Sequence, residues 1–571
     1  MPADEGNAPA GDRGEFPPPA RPGTAAAASG RWPPRGVWIA LVVYAALLAW
    51  FRRPDRPDSA VANIATLIVG FLAVMTVLTW FSLFSRYRAV WRLLPLGLVL
   101  AALVLLPIVY RIDYVTGDLF PAWSLRWRDQ PDRRLAPPAT VLAEQGNRGA
   151  VDLATTTADD FPQFLGPRRN QAVEHVRLRS DWQAHPPQLL WRQEIGAGWS
   201  GFAVVNGLAV TIEQRGELEA VTCYERLTGV MRWAHSTRAR HATLMGDVGP
   251  RSTPTIDEGR VYALGATGVL LCLDGATGEP IWRHELQAEY GVTQAEDEES
   301  VAWGRAASPL IVEDLVVVPA GGPRDGRKVS LVAFDKRSGA KVWEGGTHQI
   351  SYSSPCLATL LGERQILIVL EDFVAAHDPR DGRQLWEHPW PGKSSSNASA
   401  SQPVPVADDR VLLTKGYGVG ALLLEVARDG AGQWSAAPLW QAPVMKTKFS
   451  NVVVDDGYVY GLDDSALSCI ELATGRRIWK RGRYNHGQIL RVGRHLLVQA
   501  EAGTVVLVQL DPQRHTELGS FPALDDKTWN NPCLSGPYLL VRNSREAACY
   551  KLALEDPSRV ARIAAPRRGR R

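Results

Sequence analysis

Asp274-Gly275-Ala276-Thr277-Gly278-Glu279-Pro280-Ile281-Trp282 is the stretch that decides the fold, because its spacing returns four more times. The pattern is an acidic residue, then Thr, Ser or Asp three places on, glycine at the fourth and tryptophan at the eighth. It recurs from Glu225 to Trp233, Asp335 to Trp343, Asp378 to Trp386 and Glu471 to Trp479. The acidic side chain accepts backbone N–H bonds at the start of a tight turn, the hydroxyl residue supports that turn, and glycine takes the positive φ that other residues resist. The tryptophan that follows is large enough to fill a seam between neighbouring sheets, and it carries an indole N–H that seeks a carbonyl.

Working outward, from about residue 160 short apolar and β-branched runs such as Arg260-Val261-Tyr262-Ala263-Leu264 and Gly457-Tyr458-Val459-Tyr460 alternate with turn signals every 8 to 12 residues. No long helical pattern interrupts them, so this region is all-β. Repeats end at Trp233, Trp282, Trp343, Trp386, Trp440, Trp479 and, in degenerate form, Phe521, at intervals of 39 to 61 residues. Each interval fits one four-stranded blade of a β-propeller. An eighth blade is expected to combine the two ends of the region. Leu189-Leu190-Trp191-Arg192 would supply its outer strand and 530–554 the other three, which removes open sheet edges. Trp191, Trp233, Trp282, Trp343, Trp386, Trp440 and Trp479 are therefore read as structural.

The region resembles the propeller of the pyrroloquinoline-quinone (PQQ) repeat family, which includes quinoprotein dehydrogenases and BamB-like envelope proteins. Phe161-Pro162-Gln163-Phe164-Leu165-Gly166-Pro167 is similar to a segment that often leads into such propellers. The expected fold is all-β, an eight-bladed β-propeller over 161–555, preceded by an α-helical transmembrane segment. Residues 36–110 hold three apolar stretches, 36–51, 60–84 and 93–110; the second alone exceeds the roughly 20 residues that cross a hydrocarbon core. Trp38, Trp50, Trp80 and Trp91 stand near their ends, where aromatic rings favour the bilayer interface. Phe51-Arg52-Arg53 offers no small-residue cleavage site, so about three uncleaved helices are expected. Residues 1–35, rich in Ala, Gly and Pro, read as a disordered tail, 111–160 as a linker, and 556–571 as a basic disordered tail.

Composition narrows the function. The chain has 571 residues, is 45% apolar and 22% charged, and carries a formal net charge of +3, so it lacks the basic stripe of a nucleic-acid binder. The six cysteines are scattered with no CxxC and no adjacent pair, which argues against a zinc ribbon, a redox motif or covalent haem. Several lie in apolar strand patterns, where cysteine acts as a small hydrophobe. The acidic run Glu296-Asp297-Glu298-Glu299 reads as a solvated loop.

The segments leading into the innermost strands would line one mouth of the channel. They place Arg251, Arg305, Lys446, Lys448 and His486 there, with Trp199, Tyr352 and Trp529 beside them. Cations and aromatic faces suit a planar anion such as PQQ. The resemblance to quinoprotein dehydrogenases implies more: a calcium held by carboxylates, an aspartate base and an adjacent cysteine pair. The cysteine pair is missing and those mouth segments contain no Asp or Glu. The expectation is therefore a scaffold without catalytic or metal residues and without a cofactor. It would lie in a bacterial inner membrane with the propeller on the periplasmic face, bind a protein or envelope component, and leave nucleic acid alone. A membrane-bound PQQ-dependent dehydrogenase of alcohols or sugars is the alternative.

Overall fold

The computed structural model describes residues 32–52, 59–146, 149–392 and 397–555. Residues 1–31 of the expected N-terminal tail and the basic tail 556–571 lie outside the described residues. The chain divides into two compact units, one formed by the N-terminal stretch to Arg53 together with Ala65–Leu106, the other by Pro54–Ile64 and Pro107 onward.

The apolar stretches are helices: α1 (Arg35–Phe51), α2 (Ser59–Phe84) and α3 (Ala89–Val109). Two of them, Ala60–Phe84 and α3, are long and apolar enough to cross a membrane, whereas α1 has 17 residues. At about 1.5 Å per residue α1 reaches only ~25 Å, short of a core about 30 Å thick. Leucine, valine and phenylalanine side chains stand exposed along α2 and α3, as on a surface meant for an apolar solvent.

The second unit holds eight sheets of at least four strands in meander order. Ala203–Val205, Leu208–Arg215, Leu218–Glu225 and Met231–Arg238 form the first. The last pairs Cys533–Ser535, Tyr538–Arg542 and Glu546–Lys551 with Gln188–Glu194, which brings Trp191 opposite Cys549 and closes the ring as expected. Every outer pair of strands carries a bulge, in seven of the eight directly beside the position facing the tryptophan. That facing residue is Cys223, Cys272, Cys469 or Cys549 in four blades, Ala333 or Ala376 in two and Leu423 in one. Cysteine thus interchanges with alanine and leucine as an apolar residue opposite the tryptophan, and burial pushes the Cys272 thiol up to about 11.

The repeated turn joins one blade to the next. Trp233, Trp282, Trp343 and Trp440 each donate their indole N–H to the carbonyl that follows the acidic residue of the next blade: Gly275, Lys336, Pro379 and Leu472, at 2.9, 3.2, 3.0 and 2.9 Å. The turn glycines have φ near +75°, and a Cβ there would also strike the preceding tryptophan, as at Gly382, where it would lie 2.4 Å from the Trp343 ring. Trp386 departs from the rule. The next blade has no such turn before its outer strand, Trp434–Ala442, and the indole donates instead to Gln365 of its own blade at 2.8 Å.

Two stretches depart from expectation. Residues 111–160 contain more than a linker: β1 (Tyr110–Val115) and β2 (Pro121–Leu125) pair as a hairpin, and α4 (Pro131–Arg134) and α5 (Pro138–Gln145) pack on the first blade. Val151 and Leu153 join its core, so the ordered body begins at Tyr110. The acidic run forms a helix, Gln294–Ser300, with a Thr293–Glu296 capping box, and Asp297 within it is buried. A partner deep in the fold, Arg305, draws it inward.

Candidate functional site

Two segments of the chain occupy the channel. Phe161-Pro162-Gln163-Phe164 starts at the first blade, where Phe161 bridges Val204. The segment then crosses the ring and leaves as Ala172–Val173, a parallel fifth strand on Gln488–Val492. Buried Arg169 ties it down, donating to the carbonyls of Ser308, Pro309 and Pro355 at 2.6, 3.1 and 3.0 Å, while Gln402 donates to the Arg169 carbonyl at 2.7 Å. Burial pulls the Arg169 guanidinium down to about 10.

The β1–β2 tip fills the mouth. The Gly117 N–H donates to Glu501 at 2.7 Å, and the Gly117 carbonyl accepts from Lys448 at 3.2 Å. Asp118 lies 3.0 Å from His486 Nε2 and also meets Arg483 at 3.4 Å. Tyr114 donates to Asp526, and Lys527 donates to the Val115 carbonyl at 3.1 Å. The Lys527 ammonium sits 4.0, 4.8 and 4.1 Å from the ring centres of Tyr114, Trp199 and Trp529, opposite Asp247 at 3.2 Å. Burial holds it below its ordinary range. Glycine is required at 117 because any Cβ would meet the His486 ring at 2.2 Å.

Between the tip and Phe164 lies a chamber of about 450 Å³. Arg251, Tyr352, Lys448 and Trp529, together with Trp199 and Trp303, line it, which gathers four of the seven expected residues. Arg251 is turned to backbone, donating to the Gly249 carbonyl at 2.9 Å and to that of Gly246. The other three stand elsewhere. Arg305 lies in a buried bidentate pair with Asp297, both bonds 2.9 Å, and donates to Ala320 O at 2.7 Å. Lys446 pairs with Asp464. His486 is buried behind Lys448, against Asp118.

Sequence reasoning missed four carboxylates at this mouth. Asp118 comes from the hairpin tip, and Asp247, Glu501 and Asp526 come from places outside the segments considered; each has a cation, an indole N–H or a tyrosine hydroxyl as partner. Among the described residues no group of three or more His, Cys, Asp or Glu could hold a metal ion. The six cysteines are buried free thiols.

A closed eight-bladed ring with tryptophan-locked turns defines the class: a propeller of the PQQ-repeat type. The family model described as "Outer membrane protein assembly factor BamB" matches residues 183–285 and 217–481, and the chain belongs to that family. A curated relative, the outer membrane protein assembly factor BamB of Burkholderia pseudomallei (strain K96243), is 24% identical over 284 residues. That alignment covers 48% of this chain and 65% of the relative, so the chain spans less than two thirds of its length. Among solved structures, a europium-containing methanol dehydrogenase aligns with a TM-score of 0.53 at 12% identity, over 69% of this chain and 98% of that one. A quinohemoprotein alcohol dehydrogenase from Comamonas testosteroni aligns with a TM-score of 0.50 at 12% identity, over 77% and 85%. At such identities these two likenesses show the fold alone.

Proposed function

We propose that this protein is a membrane-anchored propeller scaffold that holds a protein, or another envelope component, outside the cytoplasm. The helices would anchor it as a multi-pass protein of a bacterial inner membrane with the propeller on the periplasmic side, α1 serving as a short third span that the bilayer thins to meet. The B. pseudomallei relative is named for outer-membrane protein assembly, and a protein partner in envelope assembly is the corresponding reading here.

The observation that carries the scaffold reading is the plugged channel. The leading segment and the hairpin tip cross the channel and its mouth and leave only the chamber between them, and the mouth charges are spent on one another. The quinoprotein alternative is poorly served. The cysteines cannot pair beside a quinone, Arg305 and Lys446 are committed to Asp297 and Asp464, and no carboxylate cluster suits calcium among the described residues. Seven aromatic residues and two cations do line the chamber, so the fit is tested by direct titration.

Titrating the full-length, detergent-solubilised chain with PQQ and calcium is expected to give no saturable change in quinone absorbance. No dye reduction is expected with methanol, ethanol or glucose. Saturable binding with substrate-dependent dye reduction would overturn the scaffold reading and make Arg251 and Lys448 the first variants to study.

A further inference from the structure

The β1–β2 hairpin has two unlike faces. Its register sets Tyr110 opposite Leu125, Arg111 opposite Ser124 and Ile112 opposite Trp123. Directly opposed residues share a face of an antiparallel pair. One face is therefore Tyr110, Ile112, Trp123 and Leu125; the other carries Arg111, Asp113 and Ser124, joined by the Arg111–Asp113 pair at 2.7 Å and a Ser124–Asp113 bond at 2.8 Å. The polar face satisfies itself. The apolar face does not: Trp123 is 57% exposed, and Trp127, just past the strand, 69%.

The two strands belong to no larger sheet. An isolated hairpin is marginal in water, and exposed tryptophans make it more so. Tyr110 directly follows Val109, the last residue of α3. The returning chain is bonded to the same point, the Arg126 N–H donating to the Val109 carbonyl at 2.9 Å and Arg126 Nε to the Pro107 carbonyl at 2.6 Å. Trp123, opposite Ile112, is thus three residues past the end of α3, at most about 10 Å at strand rise. A bilayer's interfacial layer is about 5–8 Å deep on each side of the hydrocarbon, and it is where tryptophan and tyrosine are favoured.

We infer that the apolar face of this hairpin, with Trp127, is a lipid-docking surface that lies in the headgroup layer while the tip holds the channel mouth. The inference rests on the membrane reading proposed above. It names the bilayer itself as the occupant of this face. Arg126 and Arg128, either side of Trp127, place positive charge where anionic headgroups would meet it.

The test places a nitroxide on single introduced cysteines in the full chain, reconstituted in phosphatidylcholine–phosphatidylglycerol vesicles. The native cysteines are buried, so labelling falls on the new site. Trp123→Cys and Trp127→Cys report on the surface, each leaving the other tryptophan in place. Leu98→Cys reports on α3 and Ala473→Cys on an exposed blade turn. The ratio of oxygen to water-soluble nickel-complex accessibility is expected to be several-fold higher at 98 than at 473, with 123 and 127 between them. If 123 and 127 match 473 while 98 is lipid-exposed, the docking surface is wrong and the anchor stands. If 98 also matches 473, the membrane reading fails and the inference fails with it.

Discussion

Replacing Arg305 with methionine is expected to destabilise the propeller by about 3–5 kcal/mol, because it strands the Asp297 carboxylate in the interior. The two side chains are 2% and 6% exposed. Asp297 accepts two guanidinium bonds and a third from Gln287 at 2.9 Å. Removing the cation leaves the charge with an amide as its nearest help, and the Ala320 carbonyl loses its donor. The double variant Arg305→Met/Asp297→Leu is expected to recover most of the loss, since a well-packed apolar pair often equals a buried ion pair. Urea midpoints of the wild type, the two single variants and the double variant measure the coupling. A single variant within about 0.5 kcal/mol of wild type, the range of ordinary surface substitutions, would show that the pair is not buried as described and would return Arg305 to the ligand candidates.

Trp343→Ala is the second large effect, about 3–5 kcal/mol, the range for a buried large aromatic cut to alanine. The indole covers the turn glycine Gly382 and packs with Ile366 and Ile368 of the next sheet, so its loss opens a seam between two blades. Trp343→Phe keeps most of the contact but strands the Pro379 carbonyl, at a cost of about 1–3 kcal/mol. Gly382→Ala attacks the same seam from the other side, through a positive φ of 74° and a Cβ driven into the ring. Because Trp343 and Gly382 are in contact, their effects should be non-additive: once the ring is gone, the alanine is left with its backbone strain alone. Additive losses in the double variant would contradict the seam as described.

The ring was legible because its determinants are local and repeated. An acid, a glycine and a tryptophan within nine residues specify turn, bulge and seam together, and the fifth occurrence adds little to what the first implies. Closure by 188–194 was also legible, since Trp191 lacks the turn before it and Phe521 leaves a blade to complete. The mouth was harder. Position in the repeat brings Arg251, Arg305, Lys446 and Lys448 to one end of the channel, but partners outside the repeat decide where each side chain turns. Asp297 comes from the insertion that stretches one blade interval, and Asp118 is 368 residues from His486. The hairpin was invisible for a related reason: two strands of five or six residues with mixed composition carry no periodic signal. Their placement depends on Glu501, Lys448 and Asp526, which lie far along the chain.

The plugged channel mouth is the claim on which the functional reading stands, and native-state hydrogen exchange over residues 110–125 of the full chain tests it most directly. The Gly117 amide bonded to Glu501, with the Thr116 and Leu119 amides bonded within the tip, is expected to exchange as slowly as the neighbouring blade strands. Exchange at these amides near the rate of an unstructured peptide, with the blade strands still protected, would mean an open mouth and would contradict the account.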